Sequence, residues 1–328
     1  MENSGYKKFV DLQQKDRNSG GYISVDSVPF SHYHKIGVSA EGFPIFFVKC
    51  DNSSPSIDIN LELISVLFSQ KCSIRESDKG SSDTFTIVLL KTLNRDLQQY
   101  FTDVFSIILQ QLDSIPTEKA LYKEIRKVIE LFSSIHKPAI KSVQGLWSEL
   151  LVIDSSMNPE YLISSWHINP VDKYDFNDGK DKLEVKSTSK QQRIHRFSLE
   201  QLQSNVGSQL LIASTFVIET GVGKSILNLR DHIFSKIEHI EIQMRLNEII
   251  YKTIGSDYER LGDVFFDYQL AKDSLLFYNA SSIPAISKSM VPSEITNVSF
   301  DCDLTNATAI TSDDKLLLES RLFLNLGL

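Results

Sequence analysis

The spacing of apolar residues changes along this chain, and that change restricts the folds open to it more than any other feature. From Lys35 to Lys91 the apolar residues come in short runs, at 43–48 (FPIFFV), 57–68 and 85–90 (FTIVLL), separated by the stretches DNSSPS and ESDKGSSD. That pattern predicts strands joined by turns. The spacing then becomes helical: Phe101, Val104, Phe105, Ile108, Leu109 and Leu112, followed by Leu121, Ile125, Val128, Ile129 and Phe132, with Pro138 closing the second stretch. A third helix is expected over 139–153, with Val143, Leu146, Trp147, Leu150 and Leu151 as its stripe. Residues 1–35 are polar and are expected to include mobile ends.

From 166 to 230 the pattern is mixed. A strand is expected near 174–177, a turn at DGKD, and a strand at 182–187 (KLEVKS). SLEQLQS then predicts a short helix, with Ser198 as N-cap and Gln201 at the third helical position of a capping box. The run 209–218 (QLLIASTFVI) reads as a buried strand. Beyond it come a helical stretch near 233–254 and strand-like runs at 264–270, 274–278 and 298–304.

A length of 328 residues allows two domains, or one core with large elaborations. Lys and Arg number 34 against 42 Asp and Glu, giving a net charge of −8 and a pI near 5.4. Such a chain does not coat nucleic acid through bulk charge, although a local basic groove remains open to it. No apolar run reaches the ~20 residues of a membrane-spanning helix. The N-terminal MENSGYKKFVDLQQKD has no apolar h-region, so a secretory signal is not expected. Cys50, Cys72 and Cys302 show no metal-ligand spacing. These features predict a reduced, cytoplasmic protein with no membrane partner.

The chemistry-bearing residues are Glu149 on the third helix, Asp175 in YDF, and Glu184-Val185-Lys186 in LEVKS. Glu184 and Lys186 lie two apart on a strand and so share a face. Asp175 ends the partner strand of a tight hairpin through Asp178-Gly179, which sets it across from Glu184. Glu149 interrupts an apolar helix face, where burying a carboxylate is costly unless a metal or a partner compensates. Hydrolysis of a phosphodiester calls for a divalent metal that activates water and stabilises charge. Hard Mg²⁺ prefers carboxylate oxygens, and two carboxylates on adjacent strands give a half-open site for it. A lysine beside them can orient the attacking water and offset the phosphate charge.

This order of helix-Glu, strand-Asp and strand-Glu-x-Lys, followed by a helix and a strand, resembles the PD-(D/E)XK nuclease superfamily. The motifs EGFPIFFVK, GLWSELL, YDF, LEVKST and SLEQL are similar to those of its bacterial branch known as "putative PD-(D/E)XK family member", over nearly the whole chain. The resemblance implies an α/β (α+β) fold: a restriction-endonuclease-like core with a mixed sheet flanked by helices, plus N-terminal strand-rich and C-terminal elaborations. It divides the chain into a strand-rich and helical region at 1–120, a nuclease core at 121–235 and an α+β region at 236–328. It also implies that Glu149, Asp175 and Glu184 are metal ligands for Mg²⁺, with Mn²⁺ as a substitute, and that Lys186 is the catalytic lysine. Tyr174 stands where the motif has proline, and Asp172, just after Pro170, is a rival to Asp175. Asp175 is preferred because it abuts an apolar residue on the expected strand.

The implied function is that of a metal-dependent DNA endonuclease of a phage-defence or restriction system. Its implied partners are ATPase or helicase-like proteins and a methyltransferase. Cutting both strands often needs two active sites, which leaves room for a homodimer. The alternative is a catalytically inactive module that keeps the fold and binds DNA or assembles a defence complex.

Residues 180–196 carry six Lys and Arg against two carboxylates, a local +4. Lys190, Arg193, His195 and Arg196, with Gln201, are therefore candidate nucleic-acid contacts, since basic edges gain from counterion release on phosphate. The same residues also fit a lysine-rich hairpin that keeps an edge strand from pairing. Three other motifs are set aside. Gly221-Val-Gly-Lys-Ser225 lacks a Walker glycine, because position 218 is Ile218, and reads as a strand-to-helix turn. His32 and His34 have no third ligand in sequence, and no G-x-S-x-G elbow occurs.

Overall fold

A computed structural model describes residues 5–15, 23–51, 57–76, 79–135, 139, 141–167, 172–202, 207–314, 317 and 319–327. Pro138, Pro170 and most of the DNSSPS turn lie outside the described residues. The chain divides into two compact units, Met1–Ser134 and Ile135–Leu328.

The first unit begins with helix α1 (Gly5–Lys15). Sequence spacing did not predict this helix, whose buried apolar anchors are Phe9 and Leu12. Strands β1 (Ser24–Ser27), β2 (Lys35–Val38), β3 (Pro44–Val48), β4 (Ile59–Asn60), β5 (Ile64–Glu76) and β6 (Lys79–Leu90) form one antiparallel sheet in the order β1-β2-β3-β6-β5-β4. Strand β3 reads PIFFV and is buried throughout. Period two divides it between two faces: Ile45 and Phe47 pack with Phe85, while Phe46 meets Phe101 and Phe105 of helix α2 (Arg95–Gln111). Asn94 caps α2, accepting from Leu97 N at 3.0 Å. Helix α3 (Glu118–Ser134) completes the unit. Strands β5 and β6 run further than their apolar runs predict. Gln70, Lys71 and Ser73 on that extension are exposed or half-buried, so the ladder continues without an apolar signal.

The second unit holds the expected mixed sheet. Strands β7 (Phe176–Asn177), β8 (Lys182–Thr188), β10 (Leu210–Phe216) and β13 (Leu276–Asn279) lie in the order β13-β10-β8-β7. Strands β8 and β10 are parallel, and the two outer strands run antiparallel to them. Strand β10, LLIASTF, is buried through Thr215, as its continuous apolar run predicts. Strand β9 (Ile194–Ser198) pairs with β14 (Ser299–Asp303), and β11 (Glu219–Thr220) pairs with β12 (Phe265–Phe266).

Helices α4 (Val143–Ser155) and α5 (Pro159–Ser165) precede the sheet. Helices α6 (Ile226–Phe234), α7 (Ile240–Ile254), α8 (Tyr268–Asp273) and α9 (Arg321–Leu324) follow in the later part of the chain. Ser142 caps α4, accepting from Gly145 N at 3.1 Å. The Gly221–Ser225 stretch is a strand-to-helix turn in which Ser225 caps α6. Its Gly223 has φ +141°, and a Cβ there would lie 2.2 Å from Phe266 O, so no side chain fits. Among the described residues no helix is long and apolar enough to cross a membrane.

Three local expectations change. The helical stretch expected near 233–254 is two helices, α6 and α7, separated at 235–239. SLEQLQS does not form a helix over its described part: Ser198 still belongs to β9, held there by its pairing with Ser299, and 199–202 form a turn. Residues 203–206 lie outside the described residues. The run 264–270 is not one strand. Asp267 accepts from Leu270 N at 3.0 Å and starts α8, so a cap overrides the apolar run.

Candidate functional site

Four elements converge on an open cleft of about 370 Å³, lined by residues that include Lys141, Glu149, Asp172, Asp175, Glu184, Lys186 and Gln201. Helix α4 brings Glu149. It is fixed on β8 by Gln144 Nε2 and Ser148 Oγ, each 3.2 Å from Ser187 Oγ. The Phe176–Leu183 pair of β7 and β8 places Asp175, one residue earlier, opposite Glu184. Asp175 Oδ2 accepts the backbone amide of Val185 at 2.7 Å, which locks the carboxyl onto β8. Glu184 and Lys186 project from the same face of β8, and Lys186 Nζ lies 2.7 Å from Glu184 Oε1.

Glu149, Asp175 and Glu184 are 2%, 5% and 4% exposed, a depth at which carboxylates need compensation. Glu149 is the best compensated. Lys141 Nζ donates to its Oε1 at 2.7 Å, and Trp166 Nε1 donates to Oε2 at 2.7 Å. His167 Nε2 lies 3.1 Å from that same Oε2. Burial raises the pKa of Glu149, but the charge of Lys141 and the His167 contact outweigh it and hold the carboxyl below the usual range. Asp175 pairs with Lys141 as well, yet burial and the neighbouring Glu149 charge push its pKa up. Glu184 is pushed up to about 8, by burial first and then by Asp175, against the pull of Lys186. The site therefore holds more carboxyl groups than its lysines can keep ionised.

That surplus fits a divalent cation. Glu149, His167 and Asp175 each offer a ligand atom within 4.8 Å of the others, and all three residues are buried. Carboxylate oxygens suit Mg²⁺ or Mn²⁺. His167 Nδ1 is buried without a hydrogen-bond partner. Glu184, the expected third ligand, lies outside this tight group and borders it through Asp175.

Each expected site residue can now be placed. Glu149, Asp175, Glu184 and Lys186 come together in the cleft. Asp172 is exposed and also lines the cleft, but it does not join the buried group. Gln201 reaches the site from the turn after β9: its Nε2 donates to Glu184 Oε1 at 2.7 Å, and its Oε1 accepts from Ser198 N at 3.0 Å and from Lys186 Nζ at 3.3 Å.

The basic edge needs correction. Arg193 is buried, donates to Ser214 O and Ser214 Oγ at 2.7 and 2.9 Å and to Ser274 O at 2.5 Å, and packs on the Phe216 ring. His195 is 3% exposed, with Nε2 2.7 Å from Ser214 Oγ. Their donors are turned inward and are not offered to a phosphate. Lys190 and Arg196 stand exposed, Arg196 with Asp301 3.4 Å away.

Lys141 and His167 were not singled out from sequence. Lys141 precedes the α4 cap, and His167 follows α5 in an irregular segment where its amide donates to Asp175 O at 2.9 Å. Neither position has a periodicity that would mark it. The one available signal was the buried carboxylate on α4, which requires a cationic or donor partner from somewhere in the fold.

The profile of a family described as "Putative PD-(D/E)XK family member (DUF4420)" matches residues 8–305 of the chain. No curated protein and no solved structure gives a match.

Proposed function

The chain belongs to this PD-(D/E)XK family, and on that premise we propose that it is a divalent-metal-dependent endonuclease that hydrolyses DNA phosphodiesters within a bacterial phage-defence or restriction system. The observation that carries this reading is the convergence of Glu149, Asp175, Glu184 and Lys186 on one open cleft. A divalent ion, when bound, activates water and stabilises charge on the phosphate. Glu149 and Asp175 would hold it, with Glu184 and His167 Nε2 at its border. Lys186 orients the attacking water and offsets the developing charge. Gln201 keeps Glu184 and Lys186 in register. The exposed Lys190 and Arg196 supply backbone contacts for DNA. ATPase or helicase-like and methyltransferase partners follow from the kind of system proposed.

The test is nicking and linearisation of plasmid DNA with Mg²⁺ and with Mn²⁺, comparing the wild type with Glu184→Ala. Metal-dependent cutting that is lost in the variant supports the reading. Equal cutting by both removes the site assignment.

A second reading has one specific observation in its favour. Lys141 already compensates Glu149 and Asp175 without any divalent ion. On that reading the fold docks DNA or a partner and does not cut. It predicts no carboxylate-dependent metal binding, with or without DNA.

A further inference from the structure

Lys141 touches all three members of the candidate metal group. Its ammonium donates to Glu149 Oε1 at 2.7 Å and to Asp175 Oδ1, and it lies 3.3 Å from His167 Nε2. The donor atoms of those three residues lie within 4.8 Å of one another. The ammonium thus sits between the two carboxylates, with the His167 ring beside it. A second cation cannot share that place, because like charges at contact repel strongly in a site drier than bulk water. Without any cation there, Glu149 and Asp175 would face each other buried, with neutral donors at Oε2 and Oδ2 but no counter-charge between them.

The lysine is not sealed in. Its side chain is 23% exposed, and it lines the same cleft as Lys173, Lys186 and Gln201. The flexible four-carbon stem can carry its ammonium from the carboxylates to the open side without a change in the backbone.

Resting on the nuclease reading, we infer that Lys141 is a resident counter-ion which holds Glu149 and Asp175 together before metal arrives, leaves when the divalent ion binds, and then presents its ammonium to the phosphate in the cleft. Metal loading and DNA binding are therefore coupled. A polyanion in the cleft gives the displaced ammonium a new partner and so raises metal affinity, and by linkage metal raises DNA affinity by the same factor.

The test uses the wild-type chain and a lysine-acylating reagent, in EDTA or in Mn²⁺, with labelling at each lysine read by peptide mass spectrometry. The exposed Lys190 is the internal reference. Lys141 is expected to be protected in EDTA and to label about tenfold faster in Mn²⁺, a factor within the range usual for coupled equilibria. A second arm measures Mn²⁺ binding by calorimetry. Lys141→Met is expected to bind about tenfold more tightly than the wild type, because nothing then has to leave. If that variant does not fold, the labelling arm decides alone. Mn²⁺ binding by the wild type with no change in Lys141 labelling overturns the inference and leaves the nuclease reading intact. No Mn²⁺ binding by folded wild type, with or without DNA, overturns both.

Discussion

Gln201 Nε2 donates to Glu184 Oε1 at 2.7 Å, the same oxygen that Lys186 Nζ meets at 2.7 Å. Gln201 thereby fixes the rotamer of a carboxylate it does not neutralise. Groups that orient a metal-site carboxylate are commonly worth about 10–100-fold in metal affinity or activity. On the proposed nuclease reading, Gln201→Ala is expected to lower metal-dependent cleavage by about that factor, with the Mn²⁺ concentration for half-maximal rate moving upward. A variant with an unchanged Mn²⁺ dependence would reduce Gln201 to its turn bond with Ser198.

Glu149 ties fold and site together. Its two oxygens meet Lys141, Trp166 and His167, and Glu149 itself is 2% exposed. Truncating the shared carboxylate of such a network costs up to about 3–5 kcal/mol, because Trp166 Nε1 and His167 Nε2 lose their acceptor and Lys141 loses one of its two carboxylates. Glu149→Ala is therefore expected to lower the stability of the second unit as well as any activity. Urea unfolding followed by tryptophan fluorescence reads this directly, since the only tryptophans, Trp147 and Trp166, both lie in that unit. A wild-type midpoint for Glu149→Ala would show that the network is not formed.

The basic residues in and just before β9 divide into two classes with opposite readouts. Arg193 has three hydrogen bonds to Ser214 and Ser274, so Arg193→Met is expected to cost about 2–4 kcal/mol of stability. Lys190→Ala and Arg196→Ala, both at exposed positions, are expected to leave stability within about 0.5 kcal/mol. If the chain binds DNA as proposed, each should lower the slope of log affinity for DNA against log salt by about one. Salt-dependent fluorescence anisotropy with a short duplex measures this. Unchanged slopes in both variants would place the DNA path elsewhere.

The legible parts of the site were those governed by a short period. Glu184 and Lys186 had to share a face because a strand repeats every two residues, and Glu149 stood out because it broke a helical apolar stripe. The YDF–DGKD–LEVKS hairpin was readable because Gly179, with φ +96°, sits in a tight turn where Asp178 Oδ1 accepts from Lys180 and Asp181 amides. Lys141 and His167 were not readable. Their contacts cross 34 and 18 residues of sequence from irregular segments, and only the packed fold brings them in. The basic edge was misread for a different reason. Counting charge over 180–196 ignores direction, whereas β9 alternates so that His195 and Phe197 point inward and Arg196 outward. That alternation was present in IHRFS. In the first unit, the polar extension of β5 and β6 is held by backbone pairing, which apolar patterning does not report.

His195 is expected to make the second unit sensitive to mild acid. Burial first, then the charges of Lys186 and Arg193, lower its pKa to about 4, with Asp303 opposing. In the unfolded chain a histidine titrates near ~6.5. Between those values the unfolded state binds a proton that the folded state refuses. Stability from this group is therefore full above about pH 7 and falls as pH drops toward the folded value, by up to about 1.4 kcal/mol per pH unit and on the order of 3 kcal/mol in all. His195→Gln keeps a neutral donor beside Ser214 Oγ but removes the titration. Urea midpoints read by tryptophan fluorescence from about pH 7.5 to about pH 4.5 should fall less steeply in the variant than in the wild type. Carboxylates that titrate over the same range contribute equally to both proteins and cancel in the difference. Parallel slopes would mean that His195 takes up its proton inside the folded unit at its ordinary pKa, against the cost of setting a second positive charge beside the Arg193 guanidinium.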